Sequence, residues 1–180
     1  LAGQVGGVYM KDEDLLDEVV NIVEYPTVLV GDIDQSYLSL PNEVITTPMK
    51  DHQRYFPILD DKNKLLPYFL LVRNGDDYAK ENVISGNKKV LTARLEDAKF
   101  FYDIDNNKKL EEYVEELKKL TFFEGLGSVY QKTQRLVALS KNYLEEFKLG
   151  EDVSDNLLRA AYLSKADLVT KMVIEFTELQ

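Results

Sequence analysis

The most constraining feature of the sequence is a change of period near residue 87. Before it, apolar residues come in short continuous runs broken by proline, glycine and acidic turns. After it, they recur every three or four positions to the end of the chain. Short runs of about four to eight apolar residues suit strands, and the longer period suits amphipathic helices. A chain patterned in this way is α+β, with its strands in the first part and helices segregated in the second.

Asp12-Glu13-Asp14 precedes Leu15, Leu16, Val19, Val20, Ile22 and Val23, which predicts an N-capped amphipathic helix stopped by Pro26. Val28–Val30 predicts a short buried strand closed by Gly31. Val44-Ile45-Thr46-Thr47, between Pro41 and Pro48, predicts a further strand on its β-branched content. Arg54–Leu59 and Leu65–Val72 flank Asp60-Asp61-Lys62-Asn63-Lys64 and predict a β-hairpin, with the prolines in both arms marking edges or bulges. Asn74-Gly75-Asp76-Asp77 predicts a turn. From about Asn87, the residues Val90, Leu91, Leu95, Ala98 and Phe101 mark one long helix. Leu110, Val114 and Leu117 mark a second. Val129, Leu136, Leu139, Tyr143 and Phe147 mark a third, opened by Gly125-Leu126-Gly127-Ser128. Leu157 through Ile174 mark a fourth, capped by Ser154. The polar run Asp103–Lys108 is the natural boundary. The expected organisation is a mixed α/β module with a β-hairpin over residues 1–105 and an all-helical segment over 106–180.

The chain has no cysteine, which excludes disulfides, thiolate zinc sites and cysteine nucleophiles and is compatible with a reducing cytoplasm. No apolar run approaches the roughly 20 residues of a membrane-crossing helix, so no membrane partner is expected. The first residues lack the basic-then-apolar order of a signal peptide. The chain begins and ends in mid-pattern, as an internal piece of a longer protein would. Its net charge of −10 opposes long-range attraction to phosphate. The charge is uneven, however. Residues 1–40 carry one base and eight acids, whereas residues 41–102 carry ten bases and nine acids. A basic face can come only from that middle stretch.

The densest polar constellation is Thr46-Thr47-Pro48-Met49-Lys50-Asp51-His52-Gln53-Arg54-Tyr55-Phe56. A lysine, an arginine, a histidine and two aromatics in one segment can hold phosphate and stack or hydrogen-bond a base. The same residues also suit a local scaffold whose polar groups cap helix ends and whose Tyr55 and Phe56 enter the core. A second basic group is Asn87-Lys88-Lys89, Arg94 and Lys99, which can form a loose phosphate-facing surface or a solvated one. Asp51 and His52 are sequence neighbours and lack the nucleophile–base–acid arrangement of a hydrolytic triad. A single histidine cannot make the usual multi-histidine zinc site. Asp60/Asp61 and Asp76/Asp77 lack the spacing of a calcium loop. Gly125-Leu126-Gly127 lacks the third glycine and the Lys-Ser/Thr of nucleotide-binding loops. Asp167 reads as a helix-surface acid paired with Lys171 one turn on.

Several stretches in order resemble the β subunits of bacterial heterotetrameric glycyl-tRNA synthetases. They are Leu40–Thr47, Asp51-His52-Gln53-Arg54-Tyr55-Phe56-Pro57, Leu71–Gly75, Gly86–Tyr102, Lys165–Thr170 and Glu175–Gln180. The resemblance implies a class II synthetase whose α subunit holds the glycine and ATP site, with Mg2+ used by the whole enzyme. The β subunit supplies recognition of tRNA(Gly) and is required for charging. It further implies an α/β part likened to tRNA-interacting or editing modules, and a helical part likened to the start of a histidine–aspartate phosphohydrolase domain. Asp167 stands in Lys-Ala-Asp, where that hydrolase group has a metal-binding His-Asp pair. The expected role is a cytoplasmic, cofactor-free piece of glycine–tRNA ligase that supports tRNA recognition without catalysing on its own. The expected contacts are Lys50, His52, Arg54, Arg73, Lys88, Lys89, Arg94 and Lys99, with Tyr55 as a stacker and no catalytic or metal-binding residue. The alternatives are a degenerate editing module acting on mischarged tRNA through His52 and Asp51, or a module that only assembles subunits.

Overall fold

The computed structural model of the chain, which describes residues 1–148 and 150–180, opens with a single 3-10 turn (Ala2–Val5), followed by a two-residue strand, β1 (Val8–Tyr9), and then the expected helix α1 (Glu13–Ile22). The Asp12 carboxylate accepts the Leu15 N–H at 3.0 Å, satisfying one of the unpaired donors of the first turn. Strands β2 (Pro26–Asp32), β3 (Phe56–Leu59) and β4 (Leu65–Asn74) complete an antiparallel sheet in the order β1-β3-β4-β2. The predicted hairpin is thus present. Its turn is closed by Asp60, whose carboxylate accepts from the Lys62 and Lys64 N–H groups, both at 2.8 Å.

That hairpin forms the two central strands, not the edges its prolines implied. The missing N–H of Pro57 falls where the β3/β4 register shifts, and the Pro57 carbonyl accepts from Met10 at 2.7 Å. Pro67 lies between the paired positions Leu65 and Phe69, and its carbonyl accepts from Ile33 at 3.0 Å. A bulge or an unpaired register position removes the need for the donor that proline lacks.

Successive residues of β4 point to opposite faces. Leu70 and Val72 meet Leu15 and Val19 of α1 and Phe56. Phe69 points the other way, towards Tyr55 and the long helix α3 (Lys80–Asn106). The sheet is therefore covered on both faces. Gly31 is the cross-strand partner of Phe69. A Cβ at Gly31 would lie within 2.8 Å of three Phe69 ring atoms, so this close approach requires glycine.

Val44–Thr47 is not a strand. It lies in a short helix, α2 (Asn42–Thr47), continued by a π-helical turn over Pro48–His52. The buried residues Leu40, Val44, Ile45, Pro48 and Met49 recur at helical spacing. That burial outweighs the weak strand preference of Val, Ile and Thr. Helix α3 starts seven residues before Asn87, because its first turns are mostly exposed and carry no apolar stripe. It also runs through Asp103–Asn106. The side-chain amides of Asn106 and Asn107 bond back to the carbonyls of Tyr102 and Asp103, at 3.0 and 2.8 Å, and so satisfy the helix end.

The chain divides into two units, Leu1–Phe100 and Phe101–Glu178. The second holds α4 (Leu110–Glu116), a small ribbon of β5 (Thr121–Phe123) and β6 (Gly127–Ser128), then α5 (Val129–Phe147), α6 (Glu151–Leu163) and α7 (Lys171–Glu175). The ribbon is an addition to the all-helical pattern expected here. Ser128 caps α5 in a capping box with Gln131. The fourth predicted helix is broken. It starts at the Gly150 cap, with Ser154 Oγ donating to the Gly150 carbonyl at 3.0 Å, and Thr170 opens α7 separately. Asp167 and Lys171 stand in different elements, which removes the one-turn spacing their pairing needs. The core of this unit is Tyr113, Val114, Leu117, Val129 and Ala166. The Asp105 carboxylate ties it together, accepting from Tyr113 Oη at 2.9 Å and from the Lys171 and Met172 N–H groups at 3.0 and 2.8 Å.

Two glycine substitutions should move stability in opposite directions. Gly31→Ala forces a methyl into the fully buried Phe69 ring and should cost about 1–3 kcal/mol. Gly86→Ala, inside α3 with nothing within 4 Å of the new Cβ, should stabilise by roughly 0.5–1 kcal/mol. Urea denaturation of the two variants checks both signs.

Candidate nucleic-acid interface

The polar segment 46–56 folds into α2, the π-helical turn and the entry to β3, and most of its side chains are engaged there. Lys50 pairs with Asp12 at the start of α1. Arg54 adopts φ 59°, uncommon outside glycine, and its guanidinium is shared between Glu18 at 2.6 Å and the Asp51 carbonyl. His52 is half-buried in the π-helical turn and is not without a partner. Tyr55 is 4% exposed and stacks on Phe69 with ring centroids 4.8 Å apart, while its hydroxyl donates to the Asn87 side chain. Burial raises its pKa to about 12. Tyr55 therefore offers no face to a base, because both sides of its ring are spent on the core. The scaffold reading of this segment describes Lys50, Arg54 and Tyr55.

Arg73, in β4, donates to the Tyr78 carbonyl at 2.6 Å and lies 3.9 Å from Asp76. It fastens the turn that leads into α3. Lys88 reaches across to Asp32 at 2.5 Å, yet its side chain remains 42% exposed. Lys89, Arg94 and Lys99 are exposed on α3, and among the described residues no ion pair holds them. At about 100° per residue, Lys88 and Lys99 point within roughly 20° of each other, with Lys89 alongside; Arg94 lies on the opposite flank. Leu91, Leu95 and Ala98 occupy the buried face between these flanks.

Beside Lys88, a polar recess of about 720 Å³ is lined by Asp32, Asp34, Ser36, Tyr37, Thr92 and Glu96, among others. Tyr37 donates its hydroxyl to Glu96, and burial together with that carboxylate raises its pKa to about 12. A shallower recess of about 480 Å³ is shared by Ser85, Lys88, Lys89, Thr92 and Ala93. Sequence reading missed Asp32, Tyr37 and Glu96. Their contacts join residues 56 and 59 positions apart, and no local pattern announces them. Among the described residues no group of three or more His, Asp and Glu could hold a metal ion, and no helix is long and apolar enough to cross a membrane.

Of the candidate cations, the exposed ones without an ion pair among the described residues, Lys89, Arg94 and Lys99, all lie on one helix of this α+β chain. The family profile described as glycyl-tRNA synthetase beta subunit matches residues 1–180. The chain is 54% identical over 180 residues to the glycine–tRNA ligase beta subunit of Desulfitobacterium hafniense, covering all of this chain and 26% of that protein. It is likewise 54% identical over 180 residues to that of Clostridioides difficile, again over 26% of the relative. To that of Bacillus subtilis it is 48% identical over 169 residues, 94% of this chain and 25% of the relative. The chain belongs to the glycyl-tRNA synthetase β-subunit family. It spans about a quarter of the length of these curated relatives.

Two outcomes follow from this geometry. Tyr55→Phe, which removes only the hydroxyl bonded to Asn87, should destabilise by about 1 kcal/mol in urea. The Lys50 hydrogen bond and the Leu15 N–H hold the Asp12 carboxyl below its ordinary value of 3.8. A lowered folded-state pKa stabilises above the unfolded value and is lost as pH falls through the folded one. The stability gap between the parent chain and Asp12→Asn should therefore be full above about pH 5 and shrink below pH 3.8. Thermal unfolding followed from pH 7 to pH 3 checks it.

Proposed function

We propose that this chain is a tRNA-recognising part of a glycine–tRNA ligase β subunit, working in the cytoplasm with an α subunit that activates glycine with ATP and Mg2+. The chain positions tRNA(Gly) for charging and holds no catalytic or metal-binding residue. Its family membership supplies the enzyme, and one observation carries the role. In an acidic chain whose other candidate cations are bonded to its own carboxylates and carbonyls, Lys89, Arg94 and Lys99 stand exposed on α3. Lys88 joins them as a half-exposed cation that phosphate can draw away from Asp32. Phosphate contacts need cations free to displace counterions, and of the candidate residues these four meet that need.

The reading separates the candidate residues into two groups. Lys89→Ala and Lys99→Ala should each weaken tRNA binding similarly for different tRNA sequences and reduce the salt slope by about one. Arg54→Ala and Arg73→Ala should lower stability through their lost internal bonds and change affinity little. The measurement is tRNA affinity at several salt concentrations, with charging by the whole enzyme as the second readout. Unchanged affinity and charging in the Lys89→Ala/Arg94→Ala/Lys99→Ala variant would assign the chain a structural role only. Glycine-dependent pyrophosphate exchange by the chain alone should stay at background.

A further inference from the structure

Helix α5 buries little of one side. Val129 and Thr133 enter the core of the second unit, but Leu139, Tyr143 and Phe147 are 53%, 59% and 64% exposed. They stand four residues apart, so they line one stripe of the helix. Tyr143 and Phe147 stack on each other, with ring centroids 6.0 Å apart and planes 11° from parallel. Half-buried Leu136 extends the stripe towards the start of the helix. There Lys132 covers the exposed ring of Phe122, from the β5–β6 ribbon, at 4.0 Å. The stripe from Lys132 to Phe147 is roughly 22 Å long, the length of a four-turn helix. Solvent-exposed apolar residues are ordinary when scattered; a continuous aromatic and aliphatic stripe marks a contact surface.

We propose that this stripe is a docking surface for the remainder of the β-subunit polypeptide, received as an amphipathic helix along α5. Two observations choose this occupant. The relatives are about four times longer than this chain, so most of a full-length β subunit is available to cover it. The stripe is aliphatic and aromatic at helical spacing, the form that accepts a helix by interdigitating side chains rather than a strand by backbone pairing. The proposal is independent of the tRNA reading, since it concerns a different unit and rests on the apolar side chains Leu136, Leu139, Tyr143 and Phe147.

The test is hydrogen exchange of residues 136–147 in the 180-residue chain and in the same sequence within a full-length β subunit, without the α subunit. The expected result is slowing by at least about tenfold in the full-length chain alone. Equal exchange in the two would overturn the proposal. So would slowing that needs the α subunit, or slowing of the 180-residue chain that grows with its concentration; these outcomes assign the surface to the other subunit or to a second copy. A paired substitution gives an independent readout. Tyr143→Glu/Phe147→Glu should leave the melting temperature of the 180-residue chain nearly unchanged, because both side chains are already in solvent. In the full-length β subunit it should lower the melting temperature and open the region to limited proteolysis. A full-length chain indifferent to both charges would refute the docking surface even if exchange had slowed.

Discussion

The sheet unit is organised around the contact between Phe69 and Gly31. A fully buried phenyl ring lies directly over a strand position that has no side chain, so β2 and β4 approach with no space left between ring and backbone. Tyr55 stacks on the outer side of that ring, and its hydroxyl is fixed by Asn87 of α3. One aromatic pair thus sets the distance from sheet to long helix and the rotation of α3 about its own axis. That rotation decides which α3 residues are buried and which cations face solvent. Interiors this tightly packed transmit small changes, so the exposed lysine face is a consequence of the core and is not separately specified.

Electrostatics in this chain is largely internal. The acids of residues 1–40 are not idle negative charge: Asp12, Glu18 and Asp32 receive Lys50, Arg54 and Lys88. These pairs are partly exposed and each contributes modestly to stability. Their greater effect is selective: they engage Lys50, Arg54 and, on α3, Lys88, while Lys89, Arg94 and Lys99 of the same helix carry no such pair among the described residues. Asp105 does comparable work in the helical unit, where one carboxylate serves a tyrosine hydroxyl and the first two amides of α7. It acts there as an N-terminal cap supplied from a distant point of the sequence.

The hairpin, the capped start of α1, the opening of α5 near Ser128, the switch from strand to helical period and the family of the chain were legible in the sequence. Each rests on residues close together in sequence, where turn chemistry, capping and periodicity act. It misplaced Val44–Thr47, because β-branched content was weighed above the helical spacing of Leu40, Val44, Ile45, Pro48 and Met49. It started α3 late, because a solvated first turn carries no apolar signature.

Only the tertiary structure decided which candidate residues are available. Lys50, Arg54, Tyr55 and Arg73 looked like a binding surface as a string, and in three dimensions they hold the scaffold. Lys89, Arg94 and Lys99, which as a string suited either a phosphate-facing surface or a solvated one, are exposed on α3. The physical reason is that a charged side chain is recruited by whichever opposite charge or carbonyl the fold brings within reach. For Lys88 and Arg54 those partners lie 56 and 36 residues away in sequence, a distance over which local patterning carries no information.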